Sequence, residues 1–284
     1  MNQYSPLFPP TQIVSGNIVA ANNKTQTSVF RLILLGIFAG MFIACGASAS
    51  SVAMHAISNV GLARLVAGCV FPIGLMMIVF VGGELFTGDC LMIMGCMHKE
   101  FPVRKMIKVL IVVWISNFVG SVIFAAMVNA STQYNFTSGL LGAFTIKVAM
   151  GKLGMTFQSA FLSGILCNFF VCIAVLMAAA AKDIAGKVWA IFFPIMAFVV
   201  SGYEHCVANM YYIPAGIFAA GNEAYVQKAM ETYGYTAAQL EGLNWEAMLI
   251  ANLLPVTLGN IVGGMVLVGL PLYLIHGAKI RQEY

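Results

Sequence analysis

A few polar residues stand inside long apolar runs, and their side chains carry distinct chemistry. Thr87 lies in Gly82-Gly83-Glu84-Leu85-Phe86-Thr87-Gly88-Asp89 and offers a hydroxyl that both donates and accepts. His205 closes Ser201-Gly202-Tyr203-Glu204-His205; imidazole titrates near neutral pH, so it can pass or polarise a proton. Lys152 brings a cation beside one apolar run, and Asn168 sits deep in that run with an amide able to satisfy a broken backbone. Each has an ordinary alternative. Thr87 can simply cap the helix that follows it, and Lys152 or nearby Lys147 can extend an ammonium to the membrane surface. Asn168 can merely tie two helices together. Glu84 and Glu204 read as loop support, with Glu204 placed either to orient the imidazole or to bond freed backbone groups.

The elements that position these residues follow from composition. Of the 284 residues, 61% are hydrophobic and 8% charged, whereas an average soluble domain carries about a quarter charged residues. The chain therefore belongs in lipid as an all-α integral membrane protein. Apolar runs long enough to cross a hydrocarbon core of about 30 Å fall near 29–54, 64–97, 105–129, 155–181, 187–220 and 246–275. The second and fifth are too long and too interrupted to be single helices. Their interruptions are the two strings that hold Thr87 and His205. Lipid cannot satisfy the backbone groups freed by such a break, so the breaks must be buried in protein or line a watery cavity. The half-helix N-termini they create favour an anion.

The domain plan is a polar arm over 1–28, a six-span domain over 29–275 and a tail over 276–284. Residues 1–28 contain Pro6, Pro9 and Pro10 and lack the apolar stretch of a secretory signal. Ile13, Val14, Ile18 and Ala21 are spaced to form one face of an interfacial helix, with an irregular arm as the equal alternative. Ten of the 14 basic residues (Lys24, Arg31, Lys99, Arg104, Lys105, Lys108, Lys182, Lys187, Lys279 and Arg281) fall on the N-terminal side of the membrane. Arg64, Lys147, Lys152 and Lys228 fall on the other. That bias places both termini in the cytoplasm, in an inner (plasma) membrane. The net charge of +4 is thus a matter of topology and does not indicate a nucleic-acid surface. The seven cysteines lie within or at the ends of spans and show no metal-type pair, and no cofactor is implied.

The halves repeat. Asn117-Phe118-Val119-Gly120-Ser121 answers Asn260-Ile261-Val262-Gly263-Gly264, Phe71-Pro72-Ile73 answers Phe193-Pro194-Ile195, and Ala39-Gly40 answers Ser163-Gly164. The offsets are 143, 122 and 124 residues, which predicts an enlarged outer loop around 221–245. Three spans followed by three more enter in opposite orientations, so the repeat is inverted. Paired broken helices in such halves point to a site near the midplane.

At these strings the chain resembles the formate/nitrite transporter family. The resemblance is carried by Gly83-Glu84-Leu85-Phe86-Thr87-Gly88, Ser201-Gly202-Tyr203-Glu204-His205-Cys206-Val207-Ala208-Asn209-Met210 and Pro255-Val256-Thr257-Leu258-Gly259-Asn260-Ile261-Val262-Gly263-Gly264, and it extends over nearly the whole chain. It implies an aquaporin-like six-helix bundle assembled as a homopentamer with one pore per protomer. It implies a pathway for a small monovalent anion, most directly formate, through Thr87, Asn168 and a central His205, with Lys152 in the outer vestibule. Phe71, Leu75, Leu85 and Phe198 would form apolar constrictions, or serve as ordinary core side chains. Asp89 reads as a packing or salt-bridged group, because a lone carboxylate would repel an anion. Proton transfer at the site would relieve the cost of carrying a bare carboxylate through apolar space, with either His205 or water as the immediate source. Nitrite or hydrosulfide fits the same residues, and a water or glycerol channel is the alternative of a different class. No enzyme motif appears.

Overall fold

The computed structural model describes residues 5–280, and helices account for nearly all of them. In chain order they are α1 (Pro10–Gln26), α2 (Val29–Met54), α3 (Val60–Val81), α4 (Phe86–Met97), α5 (Val103–Ala130) and α6 (Leu140–Leu153). They continue with α7 (Phe157–Ala180), α8 (Ile184–Ser201), α9 (Cys206–Ala220), α10 (Glu223–Tyr233) and α11 (Trp245–Gly277). Among the described residues six helices are long and apolar enough to cross a membrane: α2, α3, α5, α7, α8 and α11. The two interrupted spans are each resolved into a long half and a short half, α3 with α4 and α8 with α9. The breaks are confined to 82–85 and 202–205, with Gly82 (φ 101°) and Gly202 (φ 73°) turning the chain in the left-handed region that a side chain resists. Arg281 and the end of the expected tail lie outside the described residues; the last helix itself runs on to Ile280.

Helix ends are set locally. Ser28 accepts the Arg31 N–H at the start of α2, and Thr156 accepts the Ser159 N–H at the start of α7. The helices then pack through small residues. A Cβ on Gly120 of α5 would strike the Ile37 carbonyl of α2, and a Cβ on Gly263 of α11 would strike the Ile165 carbonyl of α7. These close approaches are the two halves of one pattern, since small residues let membrane helices meet backbone to backbone.

That pattern corrects one register and enlarges the repeat. Ile37 and Ile165 are 128 residues apart, as are Ser28 and Thr156, so the first span aligns with the fourth at 128 and not at the 124 inferred from Ala39-Gly40. Gly164 is therefore the counterpart of Gly36, and Asn168 that of Gly40. The N-terminal segment is also more than an arm. α1 is a regular helix with Val14, Ile18 and Ala21 buried, packed on α4 and the end of α11. α6 packs in the same way on α9, so α1 and α6 are counterparts, each leading into the first span of its half. The enlarged loop at 221–245 holds α10 and a short turn of helix at Ala237–Leu240.

Candidate functional site

The two breaks are held by one asparagine each. Asn117 Nδ2 donates to the carbonyls of Gly36 (2.8 Å) and Glu84 (2.9 Å), while its Oδ1 accepts the Phe86 N–H at 3.0 Å. Asn260 Nδ2 donates to the carbonyls of Gly164 (2.7 Å) and Glu204 (3.0 Å), and its Oδ1 accepts the Cys206 N–H at 2.9 Å. One amide thus joins the neighbouring span, the loop and the first turn of the following half-helix. The expectation that Glu84 and Glu204 support the loops changes accordingly. Their carboxylates bind lysines, and the asparagines secure the backbone.

Superposing the loops by these bonds pairs Gly82 with Gly202, Glu84 with Glu204 and Leu85 with His205. The halves diverge where chemistry is possible. His205 replaces Leu85, and Asn168 replaces Gly40. Asn168 Nδ2 donates to the carbonyls of Asn260 (2.6 Å) and Thr87 (3.1 Å), tying the two breaks together. Thr87 does not cap α4. Its Oγ1 lies 2.9 Å from His205 Nε2, wholly buried.

The imidazole has one assignment consistent with its neighbours. His205 Nδ1 accepts the Ala208 N–H at 3.0 Å, capping α9, and an atom that accepts from a backbone amide carries no proton. The neutral ring therefore bears its proton on Nε2 and donates it to Thr87 Oγ1, which leaves the Thr87 hydroxyl proton free to donate elsewhere. Phe198 stacks beside the ring, with centroids 6.1 Å apart, and meets Phe71 edge-on at 5.6 Å. Glu204 does not touch the imidazole.

Two cavities flank this centre. The one away from α1, about 260 Å³, is lined by Ala67, Phe71, Lys152, Phe198, Glu204 and His205 among others. The one under α1, about 630 Å³, is lined by Lys24, Leu75, Ile78, Leu85, Gly88 and Asp89 among others. Phe71 and Leu75 are successive turns of α3, about 6 Å apart along its axis. The cavities are therefore stacked end to end along one helix, with apolar side chains between them. Thr87 and Asn168 line neither cavity and are fully buried, Thr87 against His205.

Each cavity has a lysine on a glutamate. Lys152 Nζ donates to both oxygens of Glu204 (2.9 and 3.1 Å) and lies 5.1 Å over the Tyr212 ring. Asn209 donates to the same carboxylate and to Asn252 Oδ1, and Asn252 Nδ2 returns to the Lys152 carbonyl. Across the divide, Lys24 of α1 pairs with Glu84 and also with Asp89. Burial opposes the Lys24 charge, but Asp89 and then Glu84 outweigh it and raise the ammonium above the ordinary lysine range. Asp89 is salt-bridged as expected, and it also forms part of a cavity wall. Lys147 stands apart, over the rings of Tyr233 and Phe144.

This geometry agrees with what the chain is similar to. The sequence profile described as formate/nitrite transporter matches residues 11–274. The chain belongs to the formate/nitrite transporter family. The formate channel FocA of Haemophilus influenzae is 36% identical over 251 residues, 88% of each chain. The structure titled "Pentameric formate channel with formate bound" has a TM-score of 0.77 at 32% identity, covering 87% of this chain and 97% of that one. A second, titled "FNT family ion channel", has a TM-score of 0.78 at 27% identity over 93% of this chain and 99% of that one. The aquaporin-like six-helix bundle is thus the fold of this family member.

Lys24, Asn117, Asn260, Asn209 and Asn252 of this transporter belong to the site without standing out in the sequence as functional residues. Asn117 and Asn260 were visible as repeat markers without a role. Lys24 had a signal: it precedes Lys152 by 128 residues, the offset that relates the first and fourth spans.

Proposed function

We propose that this protein is a plasma-membrane channel that carries a small monovalent anion, formate first, between the two cavities by way of Thr87 and His205. The observation that carries the reading is the stacking of two lysine-bearing cavities on either side of one apolar divide with a single histidine–threonine pair at its centre. On this reading Lys152 attracts the anion to the outer cavity, and Phe71 with Phe198, then Leu75 with Leu85, are the constrictions. A bare carboxylate crosses such space at a cost of several kcal/mol, whereas the neutral acid crosses readily. The proton must therefore join the anion near the centre.

Of the two sources considered, the hydrogen bonds favour water over the histidine itself. Protonating Nδ1 would remove the cap from α9 and set a cation against that helix's positive end. A neutral His205 instead polarises Thr87, whose hydroxyl donates to the anion, while water in the adjoining cavity delivers the proton. Termini on the cytoplasmic face put the larger cavity inside, and the likeness to a pentameric formate channel supports a homopentamer with a pore in each protomer. The apolar outer faces of α5 and α8, with Ile111, Ile115, Trp189 and Phe193 exposed, suit contact with lipid or a neighbouring protomer.

Flux in proteoliposomes, comparing formate, nitrite and hydrosulfide across pH, tests this. Formate flux that rises as pH falls and is lost in His205→Ala and His205→Phe is expected. Selectivity for another anion replaces the cargo. Glycerol swelling without anion flux overturns the reading.

A further inference from the structure

The ion clusters in the two cavities are unequal. Lys152 faces one carboxylate, Glu204, and the charges cancel. Lys24 faces two, Glu84 and Asp89. Asp89 is 1% exposed, and its second oxygen, Oδ2, is buried without a hydrogen-bond donor; Glu84 Oε2 likewise accepts no hydrogen bond beyond its ion pair. Both carboxylates close on the one Lys24 ammonium, one from the loop and one from α4. Fully ionised, the cluster would leave a surplus negative charge on the wall of a cavity meant for anions. Like charges held against a single ammonium repel one another, and a proton shared between them relieves that repulsion. The other titratable groups packed around Asp89 are Cys90 of α4 and Cys172 of α7, which as thiols bring no positive charge.

We propose that Glu84 and Asp89 together hold one exchangeable proton beside Lys24, making this cluster a proton-binding site of the cavity under α1. A proton between the carboxylates cancels the surplus and gives the unpartnered Asp89 Oδ2 something to bond. The assignment of its use rests on the proposed anion transport. A neutral acid leaving the divide gives its proton to the ionised pair: the acid O–H breaks, a carboxyl O–H forms, and the free anion departs past Lys24. In reverse, the pair gives its proton up through the cavity's water to an anion entering from this side. Asp89 follows Thr87 by two residues on the same short helix, so the site lies within one helical turn of the central pair.

Infrared difference spectroscopy on the full-length protein in lipid, with no transported anion present, reads the proton directly. The wild type should keep a protonated-carboxyl C=O band at neutral pH. Asp89→Asn and Glu84→Gln should each abolish it, because the remaining carboxylate balances Lys24 one for one. Lys24→Met should make the band persist to higher pH, an opposite shift that a merely disturbed fold would not give. A wild type without the band at neutral pH, or a band unchanged in Asp89→Asn, overturns the proposal. The expected band pattern in a protein that passes no formate would leave this site standing and remove the transport reading.

Discussion

Replacing Asn260 by alanine removes three hydrogen bonds at once, and the structure says what each loss leaves behind. The carbonyls of Gly164 and Glu204 lose a donor, and the Cys206 N–H loses its acceptor. A buried polar group left unpaired costs about 1–3 kcal/mol, so the sum spans about 3–9 kcal/mol. The lower end applies, because carbonyls keep a second lone pair and the loop borders a cavity from which water can enter. The Cys206 N–H is the exception: as a first-turn amide it has no partner within its own helix. At roughly 2–4 °C per kcal/mol for a chain of this size, a loss of about 3 kcal/mol lowers the melting temperature by about 6–12 °C. Asn117→Ala should do the same, since it makes the same three bonds around the other break. Thermal unfolding of the detergent-solubilised protein, followed by circular dichroism, measures both, and Asn260→Asp should fall between because it keeps the acceptor for Cys206. A shift below about 2 °C for either variant, or shifts differing severalfold between them, would refute the claim that these amides are equivalent clamps. Formate flux should separate them in degree: Asn260→Ala frees the loop that carries His205 itself, whereas Asn117→Ala frees Leu85 and reaches the central pair only through Thr87.

Thr87→Val leaves the His205 Nε2–H without its acceptor and should lower formate flux about 5–150-fold, the rate equivalent of about 1–3 kcal/mol, while Thr87→Ser retains most of it. Lys152→Met strands the buried Glu204 carboxylate with only Asn209 and should destabilise the protein by about 3–5 kcal/mol, read by thermal unfolding; a shift as small as that of a surface lysine would count against the buried pair. Because the folded state raises the Lys24 pKa above its unfolded value of about 10.4, its contribution is full below that pH and declines only as the pH climbs through the folded value. Protease sensitivity of α1 should therefore stay flat through neutral pH and rise only in strong alkali.

The sequence by itself determined the solvent, the number of crossings and the location of the breaks. Length and apolarity are local properties, and a bilayer of fixed thickness converts them directly into spans; glycine and acid in the middle of such a run betray a break wherever they occur. His205 and Thr87 stood out for the same reason, as polar side chains where lipid forbids them. The tertiary structure decided which groups answer one another. That Asn117 and Asn260 clamp the loops, that the glutamates hold lysines, and that Asn168 bridges both breaks are contacts between residues 31 to 96 positions apart, and no periodicity encodes them. The register of the repeat slipped by four residues in the first span because one turn of an apolar helix looks much like the next. Only the backbone approaches at Gly120 and Gly263 fix it, and with it the pairing of α1 with α6. The proton on His205 was likewise undecidable from composition: imidazole offers two nitrogens, and it took the Ala208 amide, brought to Nδ1 by the start of a half-helix, to choose between them.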